Sequence, residues 1–105
     1  MRISFADAGT QQVFNDYARL EAQYGASLAV KIATRLAVLA SARHLGLVPR
    51  RPPIRLRACD NNVGHFTVDL TVPRRLHFRT SNLSVGGKRS LDAKLVEEID
   101  VVGVD

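Results

Sequence analysis

Apolar residues near the start of the chain recur at helical spacing. Val13, Tyr17, Leu20 and Tyr24 fall at i, i+4, i+7 and i+11, with Asp16, Arg19 and Gln23 off the stripe. This predicts an amphipathic helix with Thr10 as its N-cap and Gly25 as the left-handed residue that ends it. After Ser27 a second stripe of Leu28, Ile32, Leu36 and Leu39 begins, padded by Ala29, Ala33 and Ala40. The small alanines allow close approach, so a helix hairpin is expected. Its second arm should stop near Leu45-Gly46, ahead of Pro49.

Beyond Pro52-Pro53 the period changes to two. Ile54, Leu56 and Ala58 alternate with Arg55, Arg57 and Cys59, which predicts a half-buried strand. Asp60-Asn61-Asn62-Val63-Gly64 is a turn cluster, after which Phe66, Val68 and Leu70 alternate with His65, Thr67 and Asp69. Thr71 to Arg74, with Pro73, makes the next turn, and Leu76 and Phe78 alternate with Arg75, His77 and Arg79. These three segments read as a meander. Ser81 to Ser90 reads as a mobile, exposed loop, and Val96 to Val104, rich in Val and Ile, as a strand near the centre of the sheet. A helical turn over Leu91 to Glu98 is the alternative for the start of that last segment, and an N-terminal strand is optional. The expected fold is α+β: an N-terminal helix hairpin packed on one face of a small, mainly antiparallel twisted sheet.

A length of 105 residues leaves room for one domain, residues 1–105, with a single core. Apolar residues make up 46% of the chain and charged residues 24%, a globular balance that excludes extensive disorder. Cys59 is the single cysteine, so neither an internal disulfide nor a cysteine zinc site can form. Asp7 precedes any apolar run, which argues against a secretory signal. The longest apolar stretch, Leu28 to Ala42, is interrupted by Lys31 and Arg35 and is too short for a bilayer. A cytoplasmic protein with no membrane partner is expected. Cys59, His44, His65 and His77 lack metal-ligand spacing, so no metal and no small-molecule cofactor is expected. His44 reads as a structural residue at a helix C-terminus.

Charge is unevenly distributed. Of the 15 cationic residues 12 are arginines, and eight of these lie between positions 43 and 79, opposed there only by Asp60 and Asp69. Guanidinium forks hold phosphate bidentately, which makes phosphate the natural partner for such a cluster. Strand parity sharpens the point. If Phe66, Val68, Leu70, Leu76 and Phe78 face the helices, the other face carries Arg55, Arg57, His65, Asp69, Arg75, His77 and Arg79 together. Asp69 should lie across from Arg75 or His77 as an ordinary surface ion pair. Such a face suits a polyanion, and its two imidazoles add residues that transfer protons near neutral pH. RNA supplies its own nucleophile in the 2′-hydroxyl, so cleavage needs little beyond these groups. Gly86-Gly87-Lys88-Arg89 shares only composition with a phosphate loop, although Lys88 and Arg89 are candidates for phosphate contact. Few aromatics are spare for base stacking.

Four segments together resemble a HigB-type toxin, of the plasmid-maintenance killer branch of the RelE/ParE superfamily. They are residues 24–36 (Tyr24-Gly25-Ala26-Ser27 through Arg35-Leu36), Gly64 to Leu70, Pro73 to Phe78, and Val96 to Asp105. The resemblance implies a RelE/ParE-like fold and a type II toxin–antitoxin function. The toxin would be a ribosome-dependent mRNA endonuclease, acting on mRNA at the ribosome and neutralised by a HigA-like helix-turn-helix antitoxin. Arg75 matches the family's arginine in the strand after the hairpin, Arg57 a position that is histidine in several relatives, and Asp105 the Asp of a terminal Asp-Tyr-His. The Tyr and His that follow in the family are not in this sequence: either its last residues have been lost, or the toxin is weakened, or His65 and His77 take over proton transfer. On this reading Arg57, Arg75 and Arg79 clamp the scissile phosphate, and Arg50, Arg51, Arg55 and Arg74 grip messenger and ribosomal RNA. The competing expectation is a non-catalytic binding protein: either a ParE-like inhibitor of DNA gyrase or a truncated toxin that still holds its antitoxin.

Overall fold

The computed structural model describes residues 1–59, 64–80, 94 and 96–105. The chain opens with strand β1 (Arg2–Phe5), continues through helices α1 (Ala8–Phe14), α2 (Tyr17–Tyr24) and α3 (Ala26–Ser41), and makes a 3₁₀ turn at Leu45–Leu47. Strands β2 (Arg57–Ala58), β3 (His65–Asp69), β4 (Arg75–Thr80) and β5 (Glu98–Val104) follow. The sheet order is β1-β5-β4-β3-β2, with β1 parallel to β5 and the other pairs antiparallel. The architecture is therefore α+β on a mixed five-stranded sheet, and β5 lies inside it as its apolar composition predicts.

The helical half differs from the expected hairpin. The spacing from Val13 to Tyr24 reads as one helix, but Asn15 and Asp16 divide it in two. Asp16 leaves the helical conformation, and its carboxylate accepts from Ala18 N at 3.0 Å and Arg19 N at 3.4 Å, capping α2. Asp7, rather than Thr10, caps α1, accepting from Thr10 N at 2.7 Å. That hydrogen bonding holds the Asp7 carboxyl below its ordinary range. The break turns the first stripe: Phe14 and Leu20 are buried, while Tyr17 is 47% exposed. Gly25, at φ 87°, closes α2 and opens α3, a conformation that glycine adopts without strain. Helix α3 ends at Ser41, short of Leu45, so His44 stands beyond its C-terminus and precedes the 3₁₀ turn.

The strand half follows the expected parity with one contraction. Only Arg57–Ala58 of the first segment pairs with β3, because Arg55 takes φ 51° and breaks the extended run. Ile54 and Leu56 are buried as the alternation requires, whereas Ala58 is exposed. One apolar cluster joins the layers: Phe14, Leu20, Leu28, Ile32 and Leu39 from the helices meet Phe66, Val68, Leu76, Phe78, Ile99 and Val101 from the sheet. The expected loop over Ser81 to Ser90, most of the alternative helical turn and the turn residues 60–63 lie outside the described residues. Among the described residues no helix is long and apolar enough to cross a membrane.

Candidate nucleic-acid interface

With the helices covering one side of the sheet, the register fixes what the other side presents. Asp69 pairs with Arg75, Thr67 with His77 and His65 with Arg79 across β3 and β4. Arg57 adds to the Thr67 row from β2, and Gly103 and Asp100 extend the His77 and Arg79 rows into β5. The alternation of buried apolar residues with Arg75, His77 and Arg79, all half-buried, follows from this pairing.

A β-bulge in β5 completes the face. His77 pairs with Gly103 but Phe78 pairs with Val101, which leaves Val102 as the extra residue. In a regular strand Asp100 and Asp105, an odd number of positions apart, would take opposite faces. The bulge reverses the parity, so Asp100 reaches Arg79 at 3.5 Å and Asp105 reaches His77, with Oδ2 at 2.9 Å from Nε2. Asp105 is fixed from three further directions: its Oδ1 accepts from Arg75 N at 3.1 Å, its carbonyl accepts from Arg74 Nε at 2.7 Å, and its own N–H donates to Arg75 O at 3.2 Å. The close contact with His77 is the main reason the Asp105 carboxyl lies below its ordinary value; desolvation opposes it, and the charges of His77 and Arg75 add to it. A carboxylate on one ring nitrogen orients an imidazole, which suits a group that transfers a proton.

Next to this pair lies a recess of about 160 Å³, lined by Arg55, Arg57, Asp69, Val72, Pro73 and Arg75. Asp69 is 4% exposed, and its Oδ2 is 3.7 Å from both Arg55 Nε and Arg57 Nη2. It is not the surface ion pair expected from the alternation. Below it, Arg35 of α3 is buried, 3% exposed, and donates from Nε to Asp69 O at 2.7 Å and from Nη2 to Pro53 O at 3.4 Å. Arg35 therefore ties together the two segments that frame the recess.

The structure thus brings Arg55, Arg57, Arg75, His77 and Asp105 to one end of the face that the described residues leave uncovered. His65 lies diagonally from His77, in register with Arg79, and Asp105 contacts His77. Arg79 is engaged by Asp100. Arg74, of the group expected to grip RNA, has its Cζ 5.9 Å from the centre of the Tyr24 ring and donates from Nε to the Asp105 carbonyl. Arg50 and Arg51 are exposed on the loop before β2, and Lys88 and Arg89 lie outside the described residues. Arg35, the burial of Asp69 and the bulge were not read from the sequence. Two of them carry a signal there. Arg35 falls at i+7 from Leu28 and four before Leu39, a core position, and Gly103 inside a Val-rich strand marks a bulge.

Fold and face together define a class: a small α+β domain whose mixed sheet has one helix-covered side and one basic side. Comparison of the chain with family models, with curated proteins and with solved structures gave no match.

Proposed function

We propose that this chain is an RNA-cleaving toxin of a type II toxin–antitoxin pair, a RelE/ParE-like protein of the HigB kind that cuts mRNA on the ribosome. The observation that carries the reading is the His77–Asp105 pair, 2.9 Å apart and flanked by Arg75 on a face rich in arginine. In the proposed reaction His77 takes the proton of the RNA 2′-hydroxyl, whose oxygen bonds to the adjacent phosphorus while the bond to the 5′ oxygen breaks. Asp105 holds the imidazole in place and offsets the charge it gains. Arg75 and Arg57 stabilise the extra negative charge on the phosphorane, and the proton returns from His77 to the leaving 5′ oxygen. The products are a 2′,3′-cyclic phosphate and a 5′-hydroxyl, and no atom outside RNA and protein is consumed. Exposed Arg50 and Arg51 hold flanking RNA electrostatically. A HigA-like helix-turn-helix antitoxin is the proposed neutralising partner.

The test is tightly controlled induction in translating cells, with mRNA ends mapped before and after. Cuts within ribosome-occupied codons are expected, and Arg75→Ala should abolish both the cuts and growth arrest. Arrest with intact mRNA and inhibited supercoiling would replace this reading with that of a gyrase inhibitor.

A further inference from the structure

The proposed chemistry leaves Asp69 without a role. It is buried where three arginines line one recess, and a carboxylate there opposes the binding of any anion. Its contacts are also loose. Arg55 Nε and Arg57 Nη2 both stand 3.7 Å from the same oxygen, farther than a charge-assisted hydrogen bond of about 2.8 Å. The two arginine side chains are 46% and 42% exposed, and each has five N–H donors, more than its contact with Asp69 uses. At about 160 Å³ the recess has room for several waters or one phosphate group. Arg35 adds a buried positive charge beneath it and is bonded to the Asp69 carbonyl rather than to its carboxylate. Arg55 is held at φ 51°, an unfavourable conformation for arginine, by its N–H bond to Arg51 O and by the neighbouring bond from Asp69 N to Ile54 O at 2.7 Å.

We propose that Asp69 is a resident counter-ion, which holds Arg55 and Arg57 together in the recess until a phosphate group of RNA displaces it from both. The proposal rests on the reading of this face as an RNA site and adds a device that regulates it. Three guanidinium groups against one carboxylate leave an excess of positive charge that draws phosphate in. The carboxylate then limits how tightly phosphate is held, which favours release of the cut strand. Its removal should tighten binding and leave Arg35 with its carbonyl partner. Arg55 and Arg57 would stay hydrated, because both reach solvent.

The experiment titrates inorganic phosphate, and separately a 2′-O-methylated oligoribonucleotide that cannot be cleaved, into the wild-type chain, Asp69→Asn and Arg55→Gly. Asp69→Asn should bind both probes about tenfold tighter, the loss of one repulsive charge contact. Arg55→Gly, which relieves the backbone strain and so keeps the fold, should bind both about tenfold weaker through loss of one charged donor. Unchanged or weaker phosphate binding by a natively melting Asp69→Asn overturns the proposal. If Asp69→Asn fails to fold, unchanged phosphate affinity in Arg55→Gly overturns it instead. Tighter phosphate binding with no binding of the oligonucleotide by any variant supports the counter-ion and overturns the RNA reading alone.

Discussion

Arg35 shows how one residue can be misread by its type and placed correctly by its position. As a cation it interrupts the apolar stretch of α3, yet it occupies the buried stripe of that helix and spends its donors on two backbone carbonyls, those of Asp69 and Pro53. Arg35→Met keeps the bulk but leaves a buried carbonyl without its donor. The urea midpoint should fall by the equivalent of about 2 kcal/mol, the range for a hydrogen bond to a charged group. Asp105 is predicted from its titration. Its pKa is depressed in the folded chain, so its contribution to stability is present above its ordinary value of 3.8 and is lost as pH falls from there through the folded value. Wild type should therefore be more stable than Asp105→Asn above that value, and the two should converge in stronger acid. The Asp105 side chain is 53% exposed, so solvent screening keeps the difference small. Denaturant midpoints over a pH series check both the sign and the window. The composition of the site was legible in the sequence, since Arg55, Arg57, Arg75 and His77 follow from strand parity alone. The burial of Asp69 was not, because it depends on how the loop before β2 folds back against β3.

At the scale of elements, the bulge in β5 decides which side of the sheet receives Asp105. Deleting Val102 removes the extra residue and leaves Asp100 and Asp105 an even number of positions apart, so a regular β5 should still bring Asp105 to the His77 side. By carboxyl NMR the Asp105 titration should then stay below its ordinary value, and RNA cleavage should persist with the sheet. A return of the Asp105 titration to its ordinary value in the deletion variant would show that the bulge itself, and not the parity it sets, places Asp105. Periodicity found β3 and β4 because they alternate, and β5 because it is rich in Val and Ile. It overextended the first helix and the first meander strand. In both, a local backbone choice overrides the stripe: the caps at Asn15 and Asp16 in one, and the left-handed Arg55 in the other.

Over the whole molecule the sheet separates two chemistries. Its helix side holds the apolar core, and its free side holds arginines, imidazoles and the carboxylates that engage them. The order of hydrophobic periods, 3.6 followed by 2, was enough to assign the α+β class. The central excess of arginine was enough to locate the basic side. The parallel pairing of β1 with β5 had no comparable signal, because a four-residue edge strand carries too little alternation to be distinguished from a loop. The proposed function requires the basic face to cleave RNA through His77. The most direct test incubates the purified chain with translating ribosomes and reads the chemistry of the new mRNA ends, for wild type and for His77→Ala. Fragments ending in 2′,3′-cyclic phosphate, slowed at least about a hundredfold by His77→Ala, are the predicted result. Intact mRNA with the wild-type chain, or equal cleavage by the folded His77→Ala variant, would contradict the account.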